Sequence, residues 1–138
     1  AQVGRLLDAL AQELSAQAEV HPVVADLNTI EGVAHTMEML RQKGPVDYLV
    51  NNAGFATVGA FTDQVIDSQR EMLSLHCDAT ISLCRAALPF MRERGSGCII
   101  NVSSLGAFVP GNGLATYGAT KAFLNYFSLA LQAEVAAV

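Results

Sequence analysis

Short apolar runs alternate with helical patterns along this chain, and that alternation restricts the folds that it can adopt. The runs are typical of buried strands and lie at Val20 to Ala25, at Val46 to Val50 and after Cys98. Between them, apolar residues recur at the three-to-four-residue spacing of helices. Strands that alternate with helices in this way predict an α/β fold, in which a parallel sheet lies between layers of helices.

The helical pattern predicts four helices. Leucines at helical spacing mark the first helix, before Val20, and the Gly44-Pro45 pair ends the second. The third helix is long, from Asp67 to Arg94, and is followed by a glycine-containing turn into the next strand. The fourth helix begins near Ala115 and continues to the end of the chain.

Composition argues against several classes of function. The chain has 138 residues, enough for one domain, and its net charge of −5 argues against a nucleic-acid partner, because nucleic acids bind basic surfaces. No long uncharged apolar run is present, which argues against a membrane span. The three cysteines are an odd number without metal-ligand spacing. We therefore expect a cytoplasmic protein with free thiols and no metal site.

Tyr117 and Lys121 lie four residues apart, so on a helix both side chains share one face. Hydride delivered to a carbonyl carbon leaves an alkoxide that needs a proton, and a phenol can donate it. Free phenols titrate near pH ~10, so a nearby cation such as Lys121 is needed to favour the phenolate at neutral pH. Ser104 follows an apolar strand and would hold the substrate oxygen. The Tyr-Lys spacing also occurs on many helices as ordinary surface or interface residues.

These residues, taken with two further segments, resemble the short-chain dehydrogenase/reductase family in its ordinary, non-extended branch. The sequence Asn51-Asn-Ala-Gly54 follows the Val46 to Val50 run and is similar to a signature of that family. Asp26-Leu27 follows the first apolar run and resembles the family's adenine-contacting residues. The resemblance covers nearly the whole chain. It implies a Rossmann-type doubly wound parallel sheet with helices on both faces.

The same resemblance implies an activity, which is hydride transfer between NAD or NADP and a small-molecule carbonyl or alcohol. Ser104 would orient the carbonyl, Tyr117 would act as general acid and base, and Lys121 would favour the phenolate and hold the nicotinamide ribose. The preference between NAD and NADP is left open. The residues implied to bind the cofactor are Asp26, Leu27, Asn51, Ala53, Gly54, Tyr117 and Lys121.

His76 departs from the family pattern. Many members carry an Asn at this position, and its main-chain carbonyl anchors a water that reaches the catalytic Lys. We include His76 among the candidate catalytic residues, because a titrating side chain here could join the proton path. The alternative is that His76 only packs within the long helix.

The resemblance also identifies residues 1–138 as the central part of a single dinucleotide-binding oxidoreductase domain. Family members open with a strand and a glycine-rich turn that holds the pyrophosphate, and this sequence contains no such turn. We therefore expect the first two strands and the last strands of the domain to be absent. The chain would be a piece of a longer protein, or would take the missing strands from another chain, or would rearrange its sheet.

The resemblance bears on partners as well. The segment from Leu105 to Leu114 carries no charge and should form one side of the substrate pocket, so we expect an apolar or uncharged substrate. The long helix and the Tyr117 helix commonly build subunit interfaces in the family, which implies a homodimer or homotetramer. The apolar residues Phe123, Tyr126 and Phe127 would suit such an interface or an intrachain core equally well.

Two other functions stay open. One is a non-catalytic dinucleotide-binding or regulatory protein of the same fold, and the other is a fragment without activity of its own. The presence of Ser104, Tyr117 and Lys121 argues against the first, because a binding protein does not need a proton relay. The lack of a glycine-rich turn favours the second.

Overall fold

A computed structural model describes residues 2–136 of the chain. Within that range the helices are distributed before, between and after two strands. Two single 3-10 turns, at Phe61–Asp63 and Leu105–Ala107, lie in the loops that follow the strands. In chain order the main elements are α1 (Gln2–Leu14), α2 (Ile30–Lys43), β1 (Tyr48–Asn51), α3 (Ile66–Leu73), α4 (Ala79–Arg94), β2 (Cys98–Asn101) and α5 (Ala115–Ala136).

The two strands pair in parallel, with Leu49 opposite Ile99. Parallel neighbours need a crossover connection, and α3 and α4 provide it. This unit confirms the α/β class that the alternating pattern predicts. One face of the strands is buried through Leu49, whereas the opposite face, which carries Tyr48, Val50 and Ile100, is exposed.

The prediction of a strand at Val20 to Ala25 is wrong, because this segment forms neither a helix nor a strand. A strand is stable when a neighbour satisfies its backbone N–H and C=O groups. Among the residues that the structure describes, β1 and β2 pair only with each other, and no third strand lies beside this segment. The segment instead leads into a turn, in which the Asp26 carboxylate accepts a hydrogen bond from the Asn28 N–H.

The long helix predicted from Asp67 to Arg94 is confirmed in extent but is not a single α-helix. It begins at Ile66, and a π turn over Ser74–Asp78 separates α3 from α4. A π turn contains one residue more than an α-helical turn. The three-to-four-residue spacing of α3 therefore does not continue unchanged into α4. Gly95, in the left-handed conformation with φ 70°, ends α4.

The core lies between α4 and the buried face of the sheet. Leu49 of β1 packs against Leu83, Cys84 and Met91 of α4. Half-buried side chains from the other elements complete this cluster: Met37, Leu40, Val46, Ile99, Phe127 and Leu131. α4 is therefore the element on which α2, the sheet and α5 pack.

Polar side chains join the ends of the two strands to α5. The Asn51 Nδ2 group donates to Asn101 Oδ1 at 2.8 Å, and the Asn101 Nδ2 group donates to Ser128 Oγ at 2.9 Å. The Ser128 hydroxyl in turn donates to the Leu124 carbonyl at 2.6 Å. These bonds hold α5 against the strand ends, and α5 carries Tyr117.

We expect Ser128→Ala to lower the free energy of unfolding of the complete protein by about 1–2 kcal/mol, because the Asn101 amide loses its acceptor. Chemical denaturation would measure the change. Ser15→Ala is the matched control, since the exposed Ser15 hydroxyl bonds only the Gln12 carbonyl nearby. A loss no larger than that of the control would show that the strand-to-helix bonds do not stabilise the fold.

Candidate active site

The candidate catalytic residues meet at the carboxyl ends of the strands. Asn51 ends β1 and is followed by the segment to Gly54, while Ser104 follows β2 by three residues. In parallel sheets both of these ends lie at the same edge, where ligands bind in α/β proteins. α5 begins at Ala115 and brings Tyr117 and Lys121 to this edge.

Tyr117 and Lys121 lie next to each other, as their spacing predicts. The Lys121 Nζ atom is 5.8 Å from the centroid of the Tyr117 ring. The Lys121 side chain is buried, and its ammonium donates to the Val102 carbonyl at 2.8 Å. Among residues 2–136, no carboxylate forms an ion pair with Lys121. An ammonium has three N–H donors, so the buried Lys121 can still bind hydroxyl groups of a ligand.

The two serines after β2 have different surroundings. The Ser103 hydroxyl donates to the Lys121 carbonyl at 3.2 Å and so helps to hold α5. Ser104 Oγ accepts from the Gly106 N–H at 3.2 Å. A Cβ atom at Gly106 would lie 3.6 Å from Ser104 Oγ and 3.5 Å from the Tyr117 ring. Ser104 and Tyr117 therefore border the same small space next to Gly106.

His76 lies in the π turn and is only 1% exposed. Its Nε2 atom accepts from the Phe55 N–H at 3.1 Å, and its Nδ1 atom lies 2.7 Å from Thr120 Oγ1. The Thr120 hydroxyl donates its own proton to the Tyr117 carbonyl at 2.8 Å, so Thr120 Oγ1 must accept from His76. These partners assign a neutral imidazole with its proton on Nδ1.

The neutral state of His76 agrees with its environment. Burial, and secondly the positive charge of Lys121, lower the pKa of His76 from 6.5 to about 4. Both ring nitrogens already have partners within the protein. This geometry favours the packing interpretation of His76 over a place in the proton path.

The segment after β1 fits closely around the His76 ring. A Cβ atom at Gly54 would lie 2.6 Å from His76 Nε2, so this position has no room for a side chain. Gly54 thus allows the segment to approach His76 closely enough for the bond from the Phe55 N–H to form.

A cleft of about 230 Å³ opens between the two strand ends and α5. Gly54, Tyr117 and Lys121, three of the candidate cofactor-binding residues, line it. Asn51 and Ala53 do not line the cleft. The Asn51 amide is bonded to Asn101, and Ala53 is exposed. The other lining residues are Asn52, Phe55, Ala56, Val102 and Ser103.

Asp26 and Leu27 are not brought into this cluster. They lie in the turn before α2, where Asp26 Oδ1 accepts from the Asn28 N–H at 3.0 Å. Among the hydrogen bonds of residues 2–136, none joins this turn to Tyr117, Lys121 or Ser104. The structure thus separates the candidate adenine-contacting residues from the candidate catalytic residues.

Thr120 was missed in the sequence, although it bonds both His76 and the Tyr117 carbonyl. A signal for it exists, because Thr120 lies four residues before the buried Leu124 and so shares the buried face of α5. A hydroxyl at such a position requires a partner. The partner itself could not be identified from spacing, since His76 is 44 residues away.

Comparisons with known proteins bear on this site. The sequence profile described as short chain dehydrogenase matches residues 2–138. The chain belongs to the short-chain dehydrogenase family. An uncharacterised oxidoreductase of Staphylococcus epidermidis is 30% identical over 131 residues, which are 94% of this chain and 56% of that relative. The chain therefore spans about half the length of the curated relatives that it matches.

Solved structures of the family have the same architecture. A bulky-bulky ketone specific alcohol dehydrogenase from Comamonas testosteroni superimposes with a TM-score of 0.87 at 33% identity, covering 94% of this chain and 53% of that one. A short-chain dehydrogenase from Sphingobium yanoikuyae, solved in complex with NADPH, gives a TM-score of 0.87 at 34% identity, covering 94% and 52%. These similarities confirm the Rossmann-type fold class.

The part of the chain that the structure describes contains neither a membrane-spanning helix nor a metal-binding cluster. None of its helices combines the length and apolar character that crossing a bilayer requires. Across residues 2–136, His, Cys, Asp and Glu side chains form no group of three or more that could hold a metal ion. Cys84 is buried, and burial raises the pKa of its thiol and that of Cys77, which does not favour thiolate chemistry.

The lowered pKa of His76 predicts a loss of stability in acid. The unfolded chain takes up the His76 proton near pH 6.5, whereas the folded protein does so only near pH 4, so stability falls as the pH falls through this window. The full effect is on the order of 3 kcal/mol, since each pKa unit is worth about 1.4 kcal/mol. Denaturation of the complete protein between these two pH values would measure it.

Other groups titrate in the same pH window. The contribution of His76 is therefore the difference between the stability profiles of the wild-type protein and of His76→Gln. We expect this variant to have a flatter stability profile than the wild-type protein, and His35→Gln, which replaces an exposed histidine, is its matched control. Identical slopes for the wild type and His76→Gln would mean that His76 is not held neutral.

Proposed function

We propose that the protein is an NAD(P)-dependent oxidoreductase that interconverts a carbonyl and an alcohol. The observation that carries this proposal is the pairing of Tyr117 with a buried Lys121 beside Ser104. The membership of the short-chain dehydrogenase family supports it. A protein that only bound dinucleotides would have no use for a phenol placed beside this ammonium as a proton donor.

The proposed roles follow from the chemistry of each side chain. When bound, the nicotinamide cofactor supplies the hydride in reduction and accepts it in oxidation. Ser104 donates a hydrogen bond to the carbonyl oxygen, and Tyr117 gives that oxygen its phenolic proton as the hydride reaches the carbonyl carbon. Lys121 stabilises the phenolate that remains, and a proton from solvent restores the phenol. In alcohol oxidation the phenolate takes the proton back.

The surroundings of Lys121 fit the sugar of a nicotinamide cofactor. One N–H of the ammonium bonds the Val102 carbonyl, and the remaining donors are suited to ribose hydroxyls. Gly54 lines the same cleft, and the position that its Cβ atom would occupy lies 2.6 Å from His76 Nε2. We propose that Asn51 and Ala53 support this end of the cofactor and that Asp26 and Leu27 contact its adenine. The NADPH complex of the Sphingobium relative supports NADP as a candidate beside NAD.

The substrate is proposed to be apolar or uncharged. A groove of about 280 Å³ runs between the segment after β2 and α5. Its lining includes Phe108, Pro110 and Leu114 and contains no charged side chain. The bulky-bulky ketone specific relative from Comamonas testosteroni supports a ketone as the carbonyl compound.

The exposed face of α5 and the free cysteines bear on assembly and location. Tyr126 and Leu129 on α5 are 79% and 67% exposed, and a second subunit that packs on this helix would cover them. We propose a homodimer or homotetramer on this basis. The three free cysteines are compatible with the reducing cytoplasm.

Tyr117→Phe tests the proposal in the complete protein. We expect the variant to lose at least about a hundredfold in kcat, because the proton donor is removed while the ring is kept. The assay follows oxidation of NADPH and of NADH with acetophenone and with cyclohexanone. Cofactor affinity, measured by fluorescence titration, should stay close to that of the wild type.

Tyr126→Phe is the matched control, since it removes an exposed phenol from the same helix. Wild-type turnover by Tyr117→Phe would show that Tyr117 is not the acid. Cofactor binding without turnover of either ketone by the wild-type protein would favour a non-catalytic binding protein instead.

A further inference from the structure

Two loops flank Tyr117, and a set of side-chain amides joins them. The β1 loop comprises residues 52–65 and the β2 loop comprises residues 102–114. Ala56 of the β1 loop lines the cleft beside Tyr117, and Gly106 of the β2 loop lies against the Tyr117 ring. Both loops therefore border Tyr117.

Gln64 bonds both loops with one amide group. Its Nε2 atom donates to the Gly59 carbonyl at 2.6 Å and to the Gly113 carbonyl at 3.2 Å. Its Oε1 atom accepts from the Thr57 hydroxyl and from the Gln69 amide, each at 2.5 Å. An amide has two donors and an oxygen with two lone pairs, so Gln64 has satisfied all of them. The orientation of this side chain is fixed.

Gln69 supports Gln64 from a regular helix. It lies on α3, its side chain is buried, and its amide also donates to the Thr57 hydroxyl at 2.9 Å. A buried polar group is retained where its bonds are satisfied. Gln69 thus anchors Gln64 and Thr57 to the body of the protein.

The two loops touch where Gly59 meets Gly113. The Gly59 N–H donates to the Gly113 carbonyl at 3.2 Å. Gly113 has φ +75°, and a Cβ atom there would lie 2.9 Å from the Gly59 nitrogen. Only glycine adopts this conformation readily and permits this approach. The bond from Gln64 to the same Gly113 carbonyl is thus a second connection across the contact.

We propose that Gln64 is a positioning residue that joins the two loops and sets the width of the substrate entrance. This inference rests on the proposed function, because it takes the space between the loops as the path to Tyr117. Gln64 contacts none of the candidate catalytic residues among its hydrogen-bond partners. Its loss should therefore weaken substrate binding and leave the proton transfer intact.

Gln64→Glu removes the donor and keeps the shape of the side chain. The carboxylate can still accept from Thr57 and Gln69, but it would face the Gly59 and Gly113 carbonyls with no hydrogen to share. In the complete protein we expect KM for acetophenone or cyclohexanone to rise about tenfold, with kcat and NADPH affinity close to wild type. Hydrogen exchange should become faster in both loops together.

A second variant approaches the contact from the other loop. Gly113→Ala should push the β2 loop away from Gly59 and give the same rise in KM and in exchange, although Gln64 is unchanged. Gln132→Glu is the matched control, since it makes the same change on an exposed helical residue. We expect wild-type KM and exchange from this control. If Gln64→Glu does not fold, Gly113→Ala carries the test.

The outcomes separate this inference from the function on which it rests. Wild-type turnover with an unchanged KM in Gln64→Glu and Gly113→Ala would overturn the inference alone. So would faster exchange confined to the β1 loop, because the loops would then not be joined. A wild-type protein that reduces neither ketone would overturn the proposed function and the entrance with it. A fall in kcat with KM unchanged would place Gln64 in the chemistry and reject a positioning role.

Discussion

The parallel pairing of β1 with β2 is the constraint on which the rest of the structure depends. It aligns Asn51 with Asn101, so their amides meet and the second amide reaches Ser128 on α5. It also directs both following loops to the same edge of the sheet. The bond to Ser128 fixes the position of α5 along its own axis. The first turns of α5 then lie over the two loops. The arrangement of the candidate catalytic residues therefore depends on the register of the two strands.

The buried imidazole of His76 adds a second constraint. It connects the backbone of the β1 loop with the hydroxyl of Thr120, and that hydroxyl is bonded to the main chain of Tyr117. In a buried site such bonds are strong, and an unsatisfied partner would be costly. The His76 side chain thus ties the β1 loop to α5.

Much of this architecture could be predicted from the sequence, for reasons that particular residues make clear. The pairing of Tyr117 with Lys121 follows from helical spacing within one element, and the positions of β1, β2 and α5 follow from local apolar patterns. The prediction of a strand at Val20 to Ala25 was wrong for a different reason. A strand depends on a neighbouring strand, which the local sequence does not contain. The partners of His76 and the bond from Gln64 to Gly113 were equally hidden. These partners come from segments far apart in the chain, and a polar residue does not specify which distant group will satisfy it.

The π turn within the crossover also limits how this chain can vary in evolution. Gln69 on α3 faces the loops, and Cys84 on α4 faces the core. The extra residue in the π turn sets the rotation of α4 relative to α3. If the same number of residues formed a continuous α-helix, one half would turn by about 100° with respect to the other. Either the loop anchor or the core packing would then be lost. Homologous chains in which this segment has the same length and the same contacts should therefore also keep the π turn.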